Sequence, residues 1–294
     1  MLEAVPNVSE GRDAGVIAAI GDAFAARATL LGTHADPDHH RSVFTLVAEA
    51  GDIVDALLAG VASAVERIDL RSHVGVHPRV GAVDVVPLVP LVPDDMPRAV
   101  EAALGTARRI GAELGVPVFL YGEAGAGLRP VFFRRGGLDE LRRRVEAGEL
   151  VPDAGPREID PRTGVVLVGA RAPLVAYNLE LATDDVRVAQ EIAAAVRGSS
   201  GGMPGLQAIG LALATSGRAQ VSMNVIDVDL APLHEVVVRV RAEAASRGTE
   251  VVAGELVGLV PERVARAAAA AGVELPGVDA SQILENVLRS RLAE

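Results

Sequence analysis

The stretch D-L-R-S-H-V-G-V-H-P-R-V-G-A-V-D-V-V-P, residues 69–87, joins a helical pattern to an apolar strand pattern. It places two histidines, two arginines and two glycines in a short connection, where polar side chains project without disrupting a core. Five of the six histidines in the chain lie within residues 34–77. Because histidine titrates near neutral pH, such a cluster indicates acid–base chemistry or metal binding, although any single histidine on a loop can equally be a solvated side chain. We therefore expect the chemistry of the protein at this connection.

Hydrophobic periodicity around this stretch predicts strands and helices in the order β-α-β-β-α-β. The predicted strands span residues 2–8, 29–33, 42–47 and 82–91, and the predicted helices span 13–28 and 52–67, the second capped by Asp52. Beyond them the pattern predicts a helix to about residue 114, a strand at 116–121 and a short helix at 138–147. Residues 122–164 are otherwise irregular, and they form either a linker or a binding loop.

The second half of the chain repeats this order. The predicted strands span residues 173–181, 206–214, 220–228 and 250–253, and the predicted helices span 184–197, 232–247, 261–271 and 280–292. The order β-α-β-β-α-β is that of the ferredoxin-like unit. The sequence therefore predicts an α+β protein of two tandem ferredoxin-like (βαββαβ) subdomains, residues 1–170 and 171–294. We expect their sheets to pack face to face, with the helices outside.

Composition excludes several classes of function. The net charge of −11 argues against a general surface for nucleic acid or acidic lipid. The chain has no cysteine, which excludes disulfides, thiolate zinc sites and a cysteine nucleophile. All 28 basic residues are arginine, which excludes lysine Schiff-base chemistry. The sequence shows neither a membrane span nor a secretory signal, so we expect a cytoplasmic protein.

A metal centre is the sharpest alternative to acid–base chemistry. The ligand types that zinc and iron prefer are present at His34, Asp36, Asp38, His39, His40, His73 and His77. However, Gly75 lies between His73 and His77, and Pro78 follows them, so these two histidines do not share a helix. The chain also has no H-E-x-x-H motif. We expect no metal, and a His/Asp metal-dependent hydrolase remains an alternative.

Seven motifs lie in order along nearly the whole chain. They are V-P-N-V-S-E-G-R at 5–12, D-P-D-H-H-R-S-V-F-T at 36–45, I-D-L-R-S-H-V-G-V-H-P-R-V-G-A-V-D-V at 68–85, V-P-V-F-L-Y-G-E-A at 116–124, G-A-R-A-P-L-V-A-Y-N at 169–178, A-Q-V-S-M-N-V-I-D at 219–227 and E-L-V-G-L-V-P at 255–261. Together they resemble the glutamate formiminotransferase family, the transferase portion of formiminotransferase-cyclodeaminase. Several motifs in order are far more specific than any one of them.

The resemblance implies two formiminotransferase subdomains around a substrate tunnel, and a homodimer. It implies transfer of a formimino group between N-formimino-L-glutamate and tetrahydrofolate, with glutamate and 5-formiminotetrahydrofolate on the other side, in histidine catabolism and one-carbon metabolism. Tetrahydrofolate would be a co-substrate, and no metal is implied. Since the chain ends at Glu294 with no cyclodeaminase portion, ammonia release would need a separate cyclodeaminase protein.

The family's catalytic histidine falls on His77. Transfer requires a neutral amine to attack an amidine carbon and the departing nitrogen to gain a proton, and one imidazole can take the first proton and return it. The anionic glutamate and folate tail need cationic receptors. The arginines that suit bidentate carboxylate binding are Arg41, Arg71, Arg79 and Arg171.

The family's folate-contacting segment falls on residues 155–164. The resemblance implies substrate or folate contacts at Asn7, Asp36, His40, Arg41, His73, Arg79, Gly155, Pro156, Arg157, Thr163, Gly164, Arg171 and Asn178. Val76 replaces an acidic residue often found before the catalytic histidine, and Gly32 and His34 lie where the animal enzymes carry aspartates. These departures keep open a folate-binding protein of the same fold without efficient turnover.

Overall fold

The computed structural model describes residues 1–291, which form two units, Met1–Ala172 and the part of Pro173–Glu294 that is described. Each unit combines one sheet with helices, so the architecture is α+β. The first sheet has seven strands and the second has four. No helix in the described part of the chain is long and apolar enough to cross a membrane.

The first unit is built around the seven-stranded sheet. Its strands are β1 (Leu2–Ala4), β2 (Asn7–Val8), β3 (Thr29–Asp36), β4 (Arg41–Ala48), β5 (Val83–Pro90), β6 (Val118–Gly122) and β7 (Val166–Ala170). Its helices are α1 (Ala14–Ala25), α2 (Ala50–Arg67), α3 (Met96–Arg109), α4 (Pro130–Arg134) and α5 (Gly137–Glu146). β1 and β2 are two halves of one interrupted strand, because both pair with β4 and with β5. The strand order is therefore β3-β4-β1/β2-β5-β7-β6.

Strand β7 is the main departure from the predicted elements. Periodicity predicted no strand between residues 122 and 172, yet every residue of V-L-V-G-A in β7 is buried. β7 lies between β5 and β6 and runs parallel to both. A five-residue apolar run gives no alternating pattern, so a fully buried parallel strand is hard to recognise from periodicity.

A capping side chain marks the start of α1 but not the start of α2. The Asp13 side chain accepts hydrogen bonds from the backbone nitrogens of Gly15 and Val16, at 2.9 and 3.0 Å, and α1 begins there. The prediction of Asp52 as the cap of α2 was wrong, because α2 begins at Ala50 and Asp52 lies in its first turn. There its carboxylate favours the positive end of the helix dipole.

Helices α1 and α2 pack closely where α2 lacks a side chain. A Cβ at Gly60 would overlap the buried ring of Phe24, so we expect Gly60→Ala to destabilise the protein by about 1–3 kcal/mol. Gly105→Ala in α3 is the matched control, because its Cβ would meet Val54 at an ordinary 3.9 Å, and it should stabilise by about 0.5–1 kcal/mol. Urea unfolding midpoints of the two variants measure both effects. Equal midpoints would contradict the close packing.

The second unit is built around the four-stranded sheet. Its strands are β8 (Val175–Leu181), β9 (Leu206–Ala212), β10 (Ala219–Val225) and β11 (Val251–Val257), and its helices are α6 (Val186–Val196), α7 (Leu233–Ser246), α8 (Glu262–Ala270) and α9 (Leu284–Arg291). The strands are antiparallel in the order β11-β8-β10-β9.

The two faces of this second sheet differ in chemistry. On one face, Tyr177 and Met223 join the hydrophobic core with Val236 of α7. The side chains that alternate with them point to the other face, where polar residues such as Asn178 and Ser222 lie beside apolar ones such as Ala176 and Ile209. Asn178 there donates to Glu255 on the neighbouring strand at 2.9 Å, and Gln220 on β10 is 2% exposed. This face opposite the hydrophobic core is therefore mixed, because Ile209 and Leu211 of β9 lie beside Ser222 and Gln220 of β10.

Candidate active site

The connection at residues 69–82 and the turn between β3 and β4 are held together by Arg79. Its guanidinium donates to the backbone carbonyl oxygens of His39 and His40, at 2.6 and 2.8 Å. It also donates to the carbonyl oxygen of His77, with Nη2 at 3.0 Å, and Nη1 lies 2.8 Å from Nε2 of His73. Arg79 was expected to receive a carboxylate, and in this arrangement its donors face protein groups.

His77 lies part-exposed at this junction, with Nδ1 2.8 Å from Nη1 of Arg41 and 2.8 Å from the carbonyl oxygen of Pro78. Its ring centroid lies 6.0 Å from that of His39. Burial, and then the charges of Arg41 and Arg134, lower the pKa of His77 well below its ordinary value. The imidazole is therefore neutral at neutral pH and able to accept a proton.

Beneath His77 lies a buried charge group that we call the Asp84 cluster, consisting of Arg41, Asp84 and Arg134. The Asp84 carboxylate accepts from Nη1 of Arg41 at 3.1 Å and from Nη2 of Arg134 at 2.5 Å. Its second oxygen accepts from the backbone nitrogen of Val80 at 2.9 Å. Burial alone would raise the pKa of Asp84, but the two guanidiniums outweigh it and hold this pKa below its ordinary value. Arg41 also donates from Nε to Asn7 at 2.9 Å, so Asn7 helps to orient it.

His40 and His73 stack beside Arg79, with ring centroids 4.0 Å apart. Nδ1 of His40 accepts from the backbone nitrogen of Gly11 at 3.1 Å and lies 3.4 Å from the carboxylate of Glu10. Burial lowers the pKa of His40, while Glu10 opposes that shift. The stacked pair therefore links the loop after β2 to the loop before β5.

Acidification is expected to destabilise the fold through His73. Burial, and then Arg79 and His40, lower the pKa of His73 from 6.5 to about 4. Between pH 6.5 and about pH 4 the imidazole of His73 is protonated in the unfolded chain but not in the folded protein. The free energy of unfolding therefore does not depend on this group above pH 6.5, and it falls as the pH drops from 6.5 toward 4. Urea midpoints at pH 7 and pH 5 should differ less in His73→Gln than in the wild type. An unchanged difference in His73→Gln would contradict the assignment.

Asp36 shapes the turn that carries His39. Its carboxylate accepts from the backbone nitrogens of Asp38 and His39, both at 2.8 Å, and lies 3.1 Å from Nδ1 of His39. Arg71, by contrast, faces solvent and pairs with Asp69 at 2.5 Å. The structure thus brings Asp36 into the histidine cluster and leaves Arg71 outside it.

The segment 155–164 meets the site only at its end. The backbone nitrogen of Ala82 donates to the carbonyl oxygen of Thr163 at 2.8 Å, and Gly164 pairs with Gly81. Gly155 lies elsewhere, against Gly111 and Val116. Pro156 and Arg157 follow it and are exposed. Thr163 and Gly164 therefore adjoin the connection at residues 69–82, and residues 155–157 do not.

The last two expected residues lie in different units. Arg171 follows β7, donates to the carbonyl oxygen of Ala172 at 2.9 Å, and interacts with the hydroxyl of buried Tyr121. Burial lowers the pKa of Arg171 and raises that of Tyr121. Asn178 belongs to the second unit, on the face of its sheet opposite the hydrophobic core.

Two residues of the site were not expected from the sequence, Asp84 and Arg134. Asp84 had a usable signal, because it is the charged residue of the otherwise apolar, fully buried strand V-D-V-V-P-L-V-P. A buried carboxylate needs partners, which would have pointed to a charge cluster. Arg134 had no comparable signal, because it lies in α4 within a region that the sequence left irregular.

The side chains do not form a metal cage. Among residues 1–291, no three His, Cys, Asp or Glu side chains lie together as a metal ion would need. The arrangement instead offers a neutral imidazole next to buried guanidiniums. Chemically, this combination suits proton transfer beside a bound anion.

Comparison with known proteins gives the family. Residues 1–171 match the N-terminal subdomain of the formiminotransferase domain, and residues 176–275 match the formiminotransferase domain. The chain is 37% identical to the glutamate formimidoyltransferase of Thermoplasma acidophilum, over 97% of this chain and 96% of that one. It is 38% identical to the glutamate formimidoyltransferase of Streptococcus pyogenes serotype M1, over 98% of each. It is also 38% identical to the formimidoyltransferase-cyclodeaminase of Gallus gallus, over 90% of this chain and 50% of that one. The chain therefore belongs to the formiminotransferase family.

Proposed function

We propose that this protein is a glutamate formimidoyltransferase, which moves a formimino group between N-formimino-L-glutamate and tetrahydrofolate. The observation that carries the proposal is a part-exposed, neutral His77 beside Arg41, in a chain similar over nearly its full length to two enzymes of that name. Its place in metabolism would be histidine degradation and one-carbon metabolism.

His77 is the proposed acid–base residue. Because its pKa is lowered, the imidazole begins neutral, and with Nδ1–H donating to the carbonyl oxygen of Pro78 its Nε2 can take the proton that an attacking amine must lose. Arg41 and Arg134 disfavour the resulting imidazolium, so His77 readily returns the proton to the departing nitrogen. Tetrahydrofolate, when bound, supplies the amine that accepts the one-carbon unit.

We propose that Asn178, on the face of the second sheet opposite its hydrophobic core, contacts folate. A pterin ring presents hydrogen-bond donors and acceptors along its edge, and this face offers amide and carboxylate side chains. Oε1 of Gln220 is buried there without a hydrogen-bond partner in the described part of the chain. A hydrogen-bond donor of a bound ligand would pair with this acceptor. This chemistry fits tetrahydrofolate as a co-substrate.

The remaining expected residues take different proposed roles. Asn7, Asp36, His40, His73 and Arg79 orient the loops and Arg41 around His77, through the contacts described above. Contacts with substrate or folate remain proposals for Arg41 and Arg171, and for the segment residues Gly155, Pro156, Arg157, Thr163 and Gly164.

The finer architecture is also a proposal. We propose two ferredoxin-like subdomains, residues 1–170 and 171–294. The order β11-β8-β10-β9 within a βαββαβ sequence supports this in the second half, and β3-β4-β1/β2-β5 supports it in the first. The family resemblance supports a cytoplasmic homodimer.

A direct assay tests the function. Purified protein, stripped of metal by a chelator, is incubated with tetrahydrofolate and N-formimino-L-glutamate, and folate absorbance and glutamate release are followed together. Stoichiometric product without metal supports the transferase. Absence of product, with tetrahydrofolate still raising the melting temperature, would support a binding protein instead. Activity that returns only with added zinc or iron would support a metal-dependent hydrolase.

A further inference from the structure

The Asp84 cluster carries an excess of positive charge. One carboxylate, with a side chain that is 1% exposed, contacts two guanidiniums whose side chains are 11% exposed at Arg41 and 16% at Arg134. Asp84 can neutralise one of them, and the backbone nitrogen of Val80 adds a further donor rather than an acceptor. A mostly buried guanidinium without a compensating anion is costly, so the cluster is suited to receive one.

Arg134 is the arginine of the site with donors to spare. Arg41 donates to Asn7 and Asp84 and contacts His77, while Arg79 donates to backbone carbonyls. Arg134 contacts Asp84 through Nη2, and its Nε is buried without a hydrogen-bond partner among residues 1–291. The side chain as a whole is 16% exposed, so it lies close to solvent.

The position of Arg134 is fixed by aromatic packing. The preceding residue, Phe133, is 2% exposed and its ring centroid lies 5.1 Å from that of Phe119. Phe132 meets Phe133 edge-on at 5.2 Å, and the guanidinium of Arg144 covers the ring of Phe132 at 4.7 Å. Arg134 is therefore held toward Asp84 without needing a ligand to order it, which lowers the cost of binding.

We propose that Arg134 binds a carboxylate of the glutamate moiety beside His77. A guanidinium presents paired donors that match a carboxylate, and N-formimino-L-glutamate carries two carboxylates. The same positive charge that disfavours protonated His77 would then be balanced by the bound substrate. This inference rests on the proposed function and adds to it the residue that recognises the amino acid.

Arg134→Gln tests the proposal, with exposed Arg135→Gln as the matched control. Loss of a charged hydrogen-bond donor should raise KM for N-formimino-L-glutamate, and the Kd of L-glutamate in calorimetry, by about 10- to 100-fold. The kcat should change less than KM, and Arg135→Gln should match the wild type. Asp84 keeps Arg41 as its partner in Arg134→Gln, so the fold should be retained. If it is not, Arg134→Lys keeps the charge but loses the paired donors and should show the same KM effect.

Two substrate analogues separate recognition from a structural effect. Each replaces one of the two carboxylates of N-formimino-L-glutamate with an amide. The penalty of Arg134→Gln should nearly vanish for the analogue that lacks the carboxylate bound by Arg134, and persist for the other. Equal penalties for all three ligands, or no penalty, would overturn the proposal. If the wild type neither binds L-glutamate nor turns over, the proposed function fails as well, whereas an active wild type with an unaffected Arg134→Gln overturns this inference alone.

Discussion

Replacing His77 with alanine is expected to lower turnover by about 10²- to 10⁴-fold, while tetrahydrofolate still raises the melting temperature. The reason is that the imidazole is the proposed proton carrier for both the attacking and the departing nitrogen. Steady-state rates at saturating substrate measure the loss. His77→Gln keeps a polar side chain beside Arg41 but has no titratable group, so it should be as inactive as the alanine variant.

The pH profile gives the same experiment a second readout. Because burial and then Arg41 lower the pKa of His77, the acid limb of kcat/KM should lie below pH 6.5, the ordinary value for histidine. His234→Ala, in the second unit, serves as the control and should keep the wild-type rate and profile. Full activity in His77→Ala would refute the mechanism.

Replacing Asp84 with asparagine is expected to cost about 3–5 kcal/mol in the free energy of unfolding, because it leaves two mostly buried guanidiniums without their carboxylate. Urea unfolding at pH 7 measures the loss. Asp69→Asn removes a carboxylate from the solvent-facing pair with Arg71 and should have little effect. A similar unfolding midpoint in both variants would show that Asp84 does not hold the cluster together.

Asp84→Asn should also lower the catalytic rate. Without Asp84, Arg41 loses one of the contacts that orient it toward His77. We therefore expect Asp84→Asn to reduce kcat in protein that remains folded, as judged by its circular dichroism spectrum.

The sequence predicted the parts of the fold that periodicity encodes. The α+β class and the order of elements in the second unit follow from alternating strands and amphipathic helices, whose patterns are local. β7 was missed because its five residues are all buried, so the strand lacks the alternation of apolar and polar residues by which a strand is recognised. The position of the α2 start was missed because Asp52 serves equally well as a cap or in the first turn.

In the site, too, features set by neighbouring residues were predictable from the sequence, and contacts between distant residues were not. The histidine cluster was visible in sequence because its members lie on two nearby loops. Arg79 illustrates what was not visible, since a free guanidinium and one that binds backbone carbonyls have the same sequence signature. Arg134 reaches Asp84 across 50 residues, and only the packing of Phe133 against Phe119 explains why it does.

Arg79 donates to the carbonyl oxygens of His39, His40 and His77, and it thereby strengthens the contacts that the stacked histidines already make between these two loops. Neither loop can open without giving up hydrogen bonds to a part-buried guanidinium, so both should open and close as one cooperative unit. One opening event would then displace His77, the stacked pair His40 and His73, and the turn that carries His39 at the same time. The protein would alternate between a fully assembled catalytic centre and none, with few half-formed sites in which a reactive one-carbon group could be lost to water.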